Sequence, residues 1–137
     1  MDAGISFWVP GDPAAKGSRT QKHTPSGKVM SWEQNKGVPR WMKAVEAETA
    51  LWPTVNGTME PPYRVQLDFK VVRPKKPTFD WPVKGDLDKF VRATLDAMQK
   101  SGLISDDKHV VDLSASKSWA HRDAGATVTV WSLQKPQ

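Results

Sequence analysis

Gly85-Asp86-Leu87-Asp88-Lys89-Phe90-Val91-Arg92-Ala93-Thr94-Leu95-Asp96-Ala97-Met98-Gln99-Lys100-Ser101-Gly102 is the segment on which the architecture turns. From Asp88 to Lys100 it has helical spacing. Val91, Leu95 and Met98 fall on one side, an Asp stands at the N-cap, and Ser101-Gly102 ends it. Upstream, Arg64 to Val72 alternates, with Val65, Leu67, Phe69 and Val71 on one face, which predicts a half-buried strand. Downstream, His109 to Trp119 reads as a strand through Val111, Leu113 and Ala115. Further out, Ile5–Val9 is an apolar strand closed by Pro10-Gly11, and Ala126–Leu133 is another through Val128 and Val130. Trp41 to Leu51 predicts a helix, with Trp41, Ala44, Val45, Glu48 and Trp52 near one stripe and Pro53 stopping it. The order implies an α+β (mixed α/β) domain spanning 1–137, a small mixed β-sheet covered by two helices.

Between these elements lie two basic segments. From Pro13 to Lys43 there are seven cations against Glu33, and Lys28–Trp32 offers a short strand within a long loop or hairpin. From Lys70 to Lys84 there are five cations against Asp80. From Gly85 to Asp112 the sign reverses, with six Asp against four cations. The net charge of +5 over 137 residues therefore conceals an acidic centre flanked by cationic loops. That pattern suits a nuclease, with cations on phosphates and carboxylates on a metal, as well as an unevenly charged solvated surface. The chain has no Cys, which excludes disulfide scaffolds, Cys-type zinc sites and thiol nucleophiles. No apolar run approaches the ~18 residues of a membrane span, and the opening residues do not resemble a signal peptide. A soluble cytoplasmic domain with no membrane partner is the expectation.

Asp86 and Asp88 stand at i and i+2. On an extended segment before the helix both would face the same side, where the positive helix N-terminus favours anions. A second pair, Asp106-Asp107, follows the helix. The helix is ~18 Å long, and an extended run from Gly102 could return Asp107 to the level of Asp86 and Asp88. Three carboxylates would then offer the oxygen ligands that Mg²⁺ takes, to activate water and stabilise a departing oxygen in phosphodiester cleavage. The alternative is a helix cap and a polar turn. Arg92, four residues after Asp88, fits an i,i+4 ion pair or a fixed cation beside a metal. Lys89 and Lys117 are further candidates for that cation.

Asp86-Leu87-Asp88-Lys89-Phe90-Val91-Arg92, Leu95-Asp96-Ala97-Met98, Gly102-Leu103-Ile104-Ser105-Asp106-Asp107 and Val110-Val111-Asp112 together resemble the core of the RusA-type Holliday junction resolvases. The resemblance is dense from Asp86 to Lys117. It implies a small, cytoplasmic, homodimeric endonuclease dependent on Mg²⁺, or on Mn²⁺ in its place, that acts on branched DNA in recombination and repair in bacteria, prophages or phages. Asp86, Asp88 and Asp107 match the family's three metal-binding aspartates, and Arg92 stands where the family has a catalytic lysine. Lys89 replaces a usual Asn, and Asp106 and Asp112 match acidic positions of the motif. Arginine is always protonated, so charge stabilisation survives at position 92 while acid–base chemistry does not. A two-fold dimer would present two sites to the near two-fold symmetry of a junction.

Lys16, Arg19, Lys22 and Lys28 in the first basic segment would then track phosphates, as would Arg73, Lys75, Lys76 and Lys84 in the second. Trp81, in the loop before Asp86, would stack on or wedge against a base. Trp8, Trp41, Trp52 and Trp131 read as core or dimer contacts. Other readings are a flap or branched-DNA nuclease of the same chemistry, a non-catalytic DNA-binding module, and an Asp-x-Asp nucleotide-sugar transferase. The short chain argues against the last.

Overall fold

The computed structural model describes residues 4–15, 19–23, 29–33 and 37–133. Strand β4 (Tyr63–Val71) is its axis. Tyr63, Val65, Leu67 and Phe69 are completely buried, while Arg64 and Gln66 between them are exposed. This alternation puts one face of the sheet in the core and leaves the other open. Strand β6 (Gly125–Ser132) pairs antiparallel with β4 on one side, and β1 (Ile5–Pro10) pairs antiparallel with β6. Strand β5 (Val110–Trp119) lies on the other side of β4 and is parallel to it. The sheet order is therefore β1-β6-β4-β5, a mixed four-stranded sheet.

Helix α1 (Gly37–Thr49) and helix α3 (Leu87–Lys100) supply the cover that the apolar face requires. Val45 of α1 and Ala93, Ala97 and Met98 of α3 are fully buried in one cluster with the sheet residues. The ring of Trp41 lies 6.4 Å from that of Phe69, and Phe69 lies 5.5 Å from Phe90. The α+β architecture with two covering helices is as expected. A separate hairpin, β2 (Arg19–His23) and β3 (Val29–Glu33), occupies the first basic segment.

Three local expectations are corrected. Helix α1 begins four residues earlier than expected, because Pro39 falls in its first turn, where the missing N–H costs nothing. Pro53 does not end helical structure. It cannot donate to the Thr49 carbonyl, so α1 closes there, yet its fixed φ suits the first turn of a short helix, α2 (Leu51–Asn56). Val111 does not share the apolar side of β5: the register slips between Tyr63 and Arg64, Val110 and Asp112 pair with β4, and Val111 bulges out, 65% exposed. Among the tryptophans Trp41 is buried, but Trp8 and Trp131 lie on the open face of the sheet, Trp8 being exposed.

Helices α1 and α3 are joined by a buried polar contact. Trp41 Nε1 donates to Thr94 Oγ1 at 3.0 Å, and Thr94 Oγ1 donates to the Phe90 carbonyl at 2.9 Å. Thr94→Val keeps the shape and leaves the indole N–H without an acceptor. A loss of ~1–3 kcal/mol is expected, read as a lower urea midpoint at unchanged m-value.

Candidate active site

Strand β4, helix α3 and strand β5 form one parallel crossover unit. The segment leaving β4 (72–86) therefore meets the N-terminus of α3 at the carboxyl edge of the parallel pair, where open sheets gather ligands. Gly85 makes the final turn into the helix with φ +85°, and a Cβ there would stand 2.9 Å from the Phe90 ring. A side chain is thus excluded on both backbone and packing grounds.

Asp86 occupies the N-cap with extended φ/ψ of −73° and 127°. Its carbonyl accepts from the Lys89 and Phe90 N–H groups at 3.0 and 3.2 Å, but its carboxylate makes no capping bond. The carboxylate instead faces Lys89 Nζ at 3.5 Å. The chain is already helical at Leu87, so Asp88 belongs to the first turn and not to an extended segment as expected. Both carboxylates remain exposed at the positive end of a 14-residue helix. Beside Asp86 lies a hollow of about 390 Å³, lined also by Lys84, Lys89, Pro13 and Ala15. An anion entering it meets two ammonium groups, and a cation meets the Asp86 carboxylate, a hard oxygen ligand.

Lys117 is not the solvated lysine that its place on β5 suggests. It shares the helix-facing side of the sheet with Phe69, and its Nζ donates to the Gly85 carbonyl at 2.5 Å and lies 5.8 Å from the Phe90 ring centroid. It therefore ties the peptide immediately before Asp86 to the sheet. Lys117→Met retains the apolar stem and removes the donor. If the site cleaves DNA as the resemblance implies, a single-turnover rate about tenfold lower is expected, since small misplacements of reacting groups are costly. The melting temperature should barely change, and Lys117→Arg should recover part of the rate.

Asp107 stands elsewhere. After Gly102 the chain does not run back extended along α3. Leu103 and Ile104 turn into the core, and the Ser105 N–H donates to the Tyr63 hydroxyl at 3.0 Å. Asp106 and a single 3-10 turn, Asp107–His109, then lead into β5. The Asp107 N–H donates to Gln99 Oε1 at 3.3 Å, so Asp107 sits beside the C-terminal half of α3. From Asp88 to Gln99 the helix rises roughly 16 Å. Among the described residues, no three carboxylate or imidazole groups gather where they could hold one ion. The expected convergence within one chain is corrected accordingly: burial of Leu103 and Ile104 takes up the length that a straight return needs.

Asp106 and Asp107 interact as a pair. The Lys108 N–H donates to Asp106 at 3.0 Å and holds its carboxyl below the ordinary range. The Asp107 carboxyl is pushed up, first by its hydrogen bond to Asp106, then by burial, then by the negative charges of Asp106 and Asp96. Ionising Asp107 therefore works against folding. Its contribution to stability is present at low pH and falls as pH rises through the raised value, and Asp106 contributes with the opposite sign.

Arg92 is exposed on α3 between the two acidic groups, on a stripe that runs Asp88, Arg92, Asp96, Gln99. Among the described residues no ion pair joins it to Asp88. Asp112 pairs across the sheet with Arg64 at 2.9 Å, on the open face. Arg73, Lys75, Lys76 and Lys84 are exposed along the segment before the helix, and Trp81 is 63% exposed there. Lys16 and Lys28 lie outside the described residues, and so do the side chains of Arg19 and Lys22, whose backbone belongs to β2. Asp96 enters the sequence reading only as part of the motif and Gln99 not at all, although their spacing from Asp88 and Arg92 places both on the same ridge.

The family model described as Endodeoxyribonuclease RusA matches residues 10–131. No curated protein matches the chain.

Proposed function

The chain belongs to the RusA endodeoxyribonuclease family, and from that premise we propose that it resolves four-way DNA junctions by paired, Mg²⁺-dependent phosphodiester cleavage in recombination and repair. Members of the family are divalent-metal-dependent nucleases that act on branched DNA. The observation that carries the reading is Asp86 at the N-cap of α3, with Asp88 two residues on in the first turn, where Asp86 lines a hollow that also presents Lys84 and Lys89. Two carboxylates with water and substrate phosphate are an ordinary Mg²⁺ ligand set, with Mn²⁺ an acceptable replacement, so these residues fit the ion. When bound, the ion would polarise the phosphate and stabilise charge on the departing oxygen. Lys84 and Lys89 would hold the phosphate that enters the hollow. Lys117 would keep Asp86 in position through Gly85. Arg92 would stabilise charge that develops on the phosphate and, being always protonated, would move no proton.

Asp107 would complete the ligand set from a second copy. Strand β5 is an edge of the sheet with Val111 and Leu113 exposed, 65% and 46%. If two β5 edges pair antiparallel about a two-fold axis near Leu113, the start of one strand meets the end of the other. That brings Asp106 and Asp107 of one copy towards Lys117 and Asp86 of its mate. The dimer would then carry two shared sites in the symmetry of a junction.

Among the described residues no helix is long and apolar enough to cross a membrane; that the protein works on DNA in the cytoplasm is part of the proposal. The test is a comparison of a mobile four-way junction, a fixed junction, a flap and linear duplex, each with Mg²⁺. Paired cuts on opposed strands of the junction support the reading. Cleavage of the flap with the junction left whole points to a flap nuclease. Binding without any cleavage points to a non-catalytic DNA-binding module.

A further inference from the structure

The segment between β4 and α3 also bounds a larger cleft on the opposite face of the sheet. Lys70, Ser116 and Ser118 project from the open face, away from the buried Leu67 and Phe69. With Arg73, Trp81 and His121 they line a cavity of about 790 Å³, within the ~300–1,000 Å³ of ordinary ligand sites. The wall is held in place. Lys70 Nζ donates to Ser118 Oγ at 2.7 Å, and Trp119 Nε1 donates to the Phe79 carbonyl at 3.2 Å, which pins the segment that carries Trp81. Trp81 itself is 63% exposed. An indole face open to water beside cations and hydroxyls is available to stack a flat apolar partner.

We propose that this cleft seats an unpaired nucleotide of the branched substrate, with its base stacked on Trp81 and its phosphate held by Arg73 and His121. The proposal rests on the nuclease reading above and adds to it a site for single-stranded DNA. Aromatic faces interleaved with cations suit unpaired strands, because a duplex hides the faces of its bases. Asp80, also in the lining, repels phosphate but accepts hydrogen bonds from base amino groups, which orients the nucleotide base-inward. Asp86 follows Trp81 by five positions, so the seat lies within about 17 Å of that carboxylate. A branch point is where duplex DNA offers such a nucleotide, so the seat would distinguish branches from linear duplex.

The experiment measures binding by anisotropy, in Ca²⁺ to suppress cleavage, to a four-way junction with one unpaired nucleotide at the crossover and to linear duplex. Trp81→Ala should weaken junction binding by about tenfold or more and leave duplex binding within about twofold. Trp81→Phe should retain most of the junction affinity. In the unsubstituted protein, 2-aminopurine at the unpaired position should be quenched on binding. An absent quench, unchanged junction binding by Trp81→Ala, or an equal loss on junction and duplex overturns the seat. If the unsubstituted protein still cuts junctions in Mg²⁺, only the seat is lost. If it binds neither DNA, the nuclease reading falls with it.

Discussion

Asp88→Asn protein is expected to lose about a thousandfold or more of its Mg²⁺-dependent junction cleavage and to keep its affinity for the junction. The amide retains the size of the side chain but not the charge that a divalent ion requires of its ligand. Metal assistance supplies several kcal/mol to a phosphodiester transition state, and each ~1.4 kcal/mol is tenfold in rate. Binding would draw on other groups: the exposed Arg73, Lys75, Lys76 and Lys84, with Lys89 in the hollow. Removing a carboxylate from among phosphates relieves repulsion, so affinity should hold or rise. The fold should tolerate the change, because Asp88 is exposed and loses only its interaction with the helix dipole, ~0.3–1 kcal/mol. Single-turnover cleavage, anisotropy and a thermal melt on one preparation separate these quantities. Cleavage at the unsubstituted rate would remove Asp88 from the metal site.

The fold was legible where local pattern and burial coincide. The alternation of β4 and the apolar side of α3 each name their buried residues, because a central strand and a covering helix have well-defined inner faces. Legibility failed where tertiary contacts decide. Nothing local marks Val111 as the bulge of an edge strand, since its alternation with Leu113 and Ala115 is intact in sequence. Pro53 looks like a terminator until helix is seen to resume at Leu51, with the proline in its first turn.

The candidate site divides in the same way. Asp86 and Asp88 belong to one helix start, so sequence alone places them together. Lys117 is 31 positions from Asp86 along the chain and meets its neighbour Gly85 only because β5 returns parallel to β4. Asp107 failed for a different reason. A reach calculation bounds where a chain can go, whereas the burial of Leu103 and Ile104 determines where it goes.

That displacement of Asp107 yields a second large effect. Asp88→Asn and Asp107→Asn proteins should each be inactive alone and should regain activity when mixed and allowed to exchange subunits. If each site takes Asp86 and Asp88 from one copy and Asp107 from the other, a mixed dimer has one site with both substitutions and one with neither. Random exchange makes about half of the dimers mixed, so about a quarter of the sites are intact. The recovered activity should also differ in kind. One working site per dimer would nick a single strand of the junction, so nicked products should accumulate where an unsubstituted dimer would leave paired cuts. If all three aspartates acted within one chain, each substituted chain would lack a ligand whatever its partner, and mixing would recover nothing. Recovery from Asp86→Asn with Asp107→Asn, but none from Asp86→Asn with Asp88→Asn, would assign the two groups to opposite copies. The result bears on structure as well as chemistry, because the β5 edge, with Val111 and Leu113 exposed, is the surface whose pairing would place them there. Val111→Lys with Leu113→Lys should therefore reduce both self-association, measured by sedimentation, and complementation in the mixture, while leaving the monomer folded.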